Sequence, residues 1–153
     1  MKDMIETWEI SNRINLYLLD NIEETSLNDV PAGSKGRNVG EQFAHIHNVR
    51  LMWLKVAVPD IFASQIKIEK EDALSKKSLQ RALKESSAAV SKLLEKGFAE
   101  GKIKGFKPHP AAFLGYLVAH ESHHRGQIIL SLKQSGHKLD PKIIYGMWEW
   151  GSR

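Results

Sequence analysis

The chain has 153 residues, enough for one domain with its own core and short for two. It holds no cysteine, which excludes disulfides, thiolate metal sites and cysteine nucleophiles, and its net charge of +4 is too weak and too dispersed to point to nucleic acid. Asp3 and Glu6 stand where a signal peptide needs an apolar core, and the apolar stretch 111–119 falls well short of the ~20 residues that span a bilayer, so a soluble, cytoplasmic, single-domain protein over 1–153 is expected, with no membrane partner.

The first helical stripe is Met4, Trp8, Ser11, Asn15, Leu18 and Ile22, with Ile14 and Leu19 beside it, predicting a helix over about 4–24. A loop rich in Ser, Asn, Asp, Pro and Gly follows. Asn38 with Glu41 three residues on makes a variant capping box for a second helix, and Pro59 ends it. Its apolar positions are Val39, Phe43, Ile46, Val49, Trp53 and Val56. Residues 58–74 show no helical period and read as extended. Ser75 caps a third helix, with Leu79, Leu83, Ser86, Val90 and Leu94 facing inward and fraying near Gly97–Gly101. A loop leads to Pro110, the first residue of a fourth helix that runs to about Gln134 and stops at Gly136. Asp140–Pro141 opens a short final helix before a tail holding Trp148 and Trp150. With no strand pair and no repeat, the fold class is all-α, a four-helix bundle.

The fourth helix carries Phe113, Leu117, His120, His124, Gln127, Ile128 and Ser131 on one stripe. His120 and His124 lie one turn apart on a face that is otherwise mostly apolar, where two imidazoles can share one metal ion. The third ligand must come from another helix. His45 follows the stripe Gln42, His45, Val49, Met52 and Val56, whereas His47 is turned about 200° from it and is expected to face solvent. His123 could replace His124 but lies further from the stripe and reads as a surface or interface residue. The candidate metal ligands are therefore His45, His120 and His124.

Three segments, AHIHNVRLMW, HESHHRGQI and YGMWEWG, resemble the DinB/YfiT-like family of bacterial metal-binding bundles over nearly the whole chain. The resemblance implies an up-down-down-up bundle with a long crossover between the second and third bundle helices. Here that crossover is about 58–74, and 16 extended residues reach roughly 53 Å. It implies a triad of one second-helix and two fourth-helix histidines, the same three residues. It also implies membership of a superfamily that includes S-transferases and isomerases using low-molecular-weight thiols, and a homodimer.

The residues His120 to His124 also spell H-E-x-x-H, the zinc-protease signature, with Glu121 as general base and Glu149 as a conceivable third ligand. That chemistry needs a sheet to shape the cleft, and no strands are predicted. Otherwise Glu121 reads as a solvated helix residue or a partner to a histidine. A di-iron carboxylate site needs a second E-x-x-H, which is missing. Gln127 and Tyr116 are candidates for catalytic contacts, Asn48 is one turn after His45, and Gly126 reads as a point of close helix approach.

Three neutral histidines leave a divalent ion's charge uncompensated and a coordination position open, the mark of a catalytic rather than a structural site. Zinc or nickel is expected, with a small-molecule substrate and a low-molecular-weight thiol as co-substrate. Thiol transfer leads, ahead of hydrolysis or metal binding without turnover.

Overall fold

The computed structural model describes residues 1–153. It has six helices: α1 (Lys2–Asp20), α2 (Val39–Ala57), α3 (Pro59–Phe62), α4 (Lys76–Glu100), α5 (Pro110–Gln134) and α6 (Pro141–Gly146). Short 3-10 turns cover Glu24–Asn28 and Trp150–Ser152. There is no sheet, only an isolated bridge between Ile103 and Phe106 in the α4–α5 loop. No helix is long and apolar enough to cross a membrane. The four long helices pack so that α1 and α2 each touch both α4 and α5.

The caps predicted at Asn38 and Ser75 form. Asn38 accepts from the Glu41 amide and Glu41 Oε2 from the Asn38 amide, both at 2.8 Å. A cap of this kind contributes about 1 kcal/mol. Ser75 accepts from the Ser78 amide at 3.1 Å, and His109 caps α5 ahead of Pro110. Helix α1 stops at Asp20 rather than near residue 24, and its Met4 is exposed. Pro59 ends α2 but starts the single turn of α3, so the crossover is not extended throughout. Helix α4 does not fray at Gly97. The Ile103 side chain packs where a Cβ on Gly97 would sit, so the glycine lets the α4–α5 loop close over the helix. The helix ends at Gly101, whose φ of 70° is the left-handed conformation glycine adopts freely.

Two apolar clusters fill the interior. One joins Ile14, Leu18, Phe43, Leu83, Ile128 and their neighbours, and the other joins Trp8, Leu54, Val90, Phe113 and theirs. In α2, α4 and α5 a polar layer falls between the two sets: Arg50, Ser86 and Glu121 are fully buried there, with Asn15 from α1. Val56 and Met52, placed by the second helix's stripes on or near its apolar face, are about half exposed; the buried face of α2 instead runs through Arg50, Leu51 and Leu54.

Candidate metal centre

Helices α2 and α5 pack against each other and bring His45, His120 and His124 together. One ring nitrogen from each lies within 4.8 Å of the others. The Nε2 atoms of His120 and His124 are already 3.1 Å apart, close to the ~3.4 Å expected of two ligands with ~2.0–2.1 Å bonds in tetrahedral geometry. His45 approaches both, with ring centroids 4.6 Å from His124 and 5.4 Å from His120.

The tautomers follow from the partners. His124 Nδ1 is 2.7 Å from Gln42 Oε1 and 3.0 Å from Gln127 Oε1, so it carries the proton and donates. Its Nε2 is left with a lone pair facing the cluster, the orientation a metal ligand needs. Burial lowers all three pKa values. His45 falls to about 4, helped by the charges of Arg37 and His120; His124 falls to about 4, helped by His120 and His45; His120 is lowered chiefly by burial. The three rings are therefore neutral at neutral pH, and the donor set fits a divalent cation of borderline softness.

The neighbours divide. Gln127 touches His124. Tyr116 stacks on His120 at 6.0 Å between centroids, and its hydroxyl accepts from Trp53 Nε1 at 3.4 Å. Asn48 is turned to the crossover, bonding Ile68. His123 is exposed, as expected. Gly126 is not a point of close approach, because nothing lies within 4 Å of a Cβ built there.

Two expectations need correction. His47 is buried, not solvent-facing: its ring nitrogens lie 3.0 Å from the Ala82 carbonyl and 2.9 Å from that of Ile66. The direction opposite His45 is covered by α4 and the crossover, which a helical wheel cannot display. Burial lowers its pKa, while the two carbonyls pull it back up. Glu121 is not solvated either. Its oxygens accept from Arg50 Nε at 2.7 Å, Arg50 Nη2 at 3.0 Å and Asn15 Nδ2 at 2.7 Å. A carboxylate so engaged has no lone pair directed at the histidines for a protease's general base, and the cleft-forming sheet is absent as well.

A family model described as the DinB family matches residues 1–150. The chain belongs to the DinB family. No curated protein matches it. Gln42 and Arg37 complete the surroundings of this DinB-family triad, and neither was singled out by sequence. Gln42 shares the His45 stripe, but its contact is with a histidine on another helix. Arg37 lies in a loop without periodicity.

Proposed function

We propose that this DinB-family chain is a divalent-metal-dependent enzyme of thiol S-transferase type, with His45, His120 and His124 as ligands to zinc or nickel. The observation that carries the reading is the convergence of three imidazole nitrogens within 4.8 Å, with the rings held neutral by burial. When bound, the ion would supply a Lewis acid that stabilises the thiolate of a small co-substrate near neutral pH.

The chain's own residues do the rest. Gln42 and Gln127 fix the His124 ring and its tautomer. No carboxylate joins the cluster, so nothing in it repels an incoming thiolate. Tyr116, stacked on His120, stands beside the cluster with a hydroxyl that can hold a proton or orient a substrate.

The same reading takes 1–153 as one cytoplasmic domain with up-down-down-up topology. In support, α1 and α5 pass from the Trp8–Phe113 cluster to the Ile14–Ile128 cluster, while α2 and α4 pass the other way. It also takes the protein as a homodimer, supported by the exposed aromatic surface of Tyr145 and Trp148.

The test replaces the native ion with cobalt. A small thiol should produce sulfur-to-metal charge-transfer absorption, and its conjugation to an alkyl halide should accelerate, the C–S bond forming as the carbon–halogen bond breaks, with halide and the thiol proton both passing to solvent. Both effects should vanish in His120→Ala. Thiols of several kinds leaving the cobalt spectrum unchanged would replace this reading with a hydrolase or a metal protein without turnover.

A further inference from the structure

Helix α5 has a second concave surface, on the side turned away from the triad. At 100° per residue Ser122, Arg125 and Gly126 fall roughly opposite His120. With Ile14 of α1 and Met147 and Trp148 after α6, they line an open pocket of about 230 Å³. Its walls are mostly apolar, and no acidic side chain lines it. Glu149, the carboxylate between its two tryptophans in sequence, is held by Arg153.

Gly126 leaves this space open. A glycine inside a helix is destabilising, and close packing does not explain this one, since nothing lies within 4 Å of a Cβ built there. A larger side chain at the position would extend into the pocket.

Arg125 supplies the charge. It is 8% exposed, yet its hydrogen bonds go only to neutral oxygens, Asn15 Oδ1 and Ser122 Oγ, each at 2.7 Å. It forms no ion pair. The carboxylate of the layer, Glu121, already accepts from Arg50 on both oxygens and from Asn15. Two guanidiniums therefore share one carboxylate, and the layer is left with one positive charge in excess. A buried charge without a counter-ion is costly. The Nε of Arg125 has no protein partner and is not among the buried side-chain atoms sealed without one, so it reaches solvent, and the pocket opens beside it.

We propose that this pocket binds a small monocarboxylic acid with an apolar body, its carboxylate on Arg125 and its body against Ile14, Met147 and Trp148. A planar guanidinium fork matches a carboxylate, and a single lining cation calls for a single negative charge. Apolar walls exclude strongly hydrated anions and reward an aliphatic or aromatic body. The site is independent of the metal chemistry of the triad.

The experiment titrates octanoate into the purified protein by calorimetry, with 1-octanol and octylammonium as controls of the same chain length, and locates binding by NMR. Octanoate should bind about tenfold tighter than octanol, with octylammonium weakest, and should shift the indole N–H signals of Trp148 and Trp150. Binding should persist in His120→Ala, which separates the pocket from a carboxylate held by an ion on the triad. Arg125→Gln should bring octanoate down to the affinity of octanol. Because that change touches the buried layer, Gly126→Leu provides the second variant: at an open position it should fold as wild type by circular dichroism and block octanoate. Equal affinity for octanoate and octanol, loss of binding in His120→Ala, or binding that survives Gly126→Leu would overturn the assignment. Octanoate that neither binds nor shifts Trp148, the outcome if a second copy of the chain covers this wall, would overturn it as well.

Discussion

Glu121, the residue after His120, faces away from the triad and forms a two-point ion pair with Arg50, at 2.7 and 3.0 Å, with both side chains 1% exposed. Arg50 also donates to the Leu83 carbonyl and Ser86 Oγ on α4 and lies 4.8 Å over the Trp8 ring. Asn15 bridges Glu121 to Arg125, whose other contact is Ser122 Oγ. One carboxylate and two guanidiniums thus join all four long helices in the layer between the two apolar clusters.

Removing one partner of a buried ion pair leaves the other charged and unpaired, which costs about 3–5 kcal/mol. Glu121→Gln and Glu121→Ala are therefore expected to lower stability by that amount in chemical denaturation, while the refolded protein keeps its metal. Loss of metal at unchanged stability would return Glu121 to the site.

The triad prediction separates histidines by position. His45→Ala, His120→Ala and His124→Ala should each sharply lower metal content measured by elemental analysis. His123→Ala should leave it intact, because that ring is exposed. His47→Ala should lower stability instead, since its ring joins α4 and the crossover to α2. Full occupancy in His45→Ala would remove the third ligand, and Glu149 would not replace it: its carboxylate pairs with Arg153 at 3.5 Å and stands outside the histidine cluster.

Much of this was legible from periodicity. Steps of three and four placed His120 and His124 on one turn and His45 on a stripe with Gln42, and local chemistry placed the caps at Asn38 and Ser75 and the first residue of a helix at Pro110. What periodicity could not see were contacts made across helices. His47 looked outward only because the wheel of one helix shows neither the crossover nor α4. Glu121 looked solvated because a charged residue is ordinarily exposed, and its partner lies 71 positions away in the chain. Gly97 looked like a helix end because its reason for being glycine, the Ile103 side chain, belongs to the next loop.

The lowered histidine pKa values make the metal-free protein acid-sensitive. His45 and His124 sit at about 4 in the folded chain against an ordinary 6.5. As pH falls below 6.5 the unfolded chain takes up protons that the folded chain refuses, so stability is full above that value and declines until pH approaches 4. The unfolding temperature of metal-free protein should fall across this window, and fall less in the double variant His45→Asn, His124→Asn. An equal fall in the variant would assign the acid sensitivity to other groups.

Gln42 supplies the sharpest test of how the triad is held. It is buried on α2, one turn before His45, yet its side chain serves His124 across the helix interface at 2.7 Å. Bonds of this kind set the tautomer of a ligand histidine, and their loss typically lowers metal affinity 10–100-fold. Gln127 stands 3.0 Å from the same nitrogen, so either amide alone preserves part of the orientation. Gln42→Leu should therefore weaken metal binding by about tenfold, and adding Gln127→Leu should weaken it further by more than Gln127→Leu does in the wild-type background. Competition with a chromophoric chelator measures all four affinities. Gln42→Glu should keep the hydrogen bond while adding charge, holding affinity at or above the wild-type value at neutral pH. If Gln42→Leu binds metal as tightly as wild type, the His124 tautomer is not set by this contact, and the convergence of the three nitrogens must be maintained by helix packing alone.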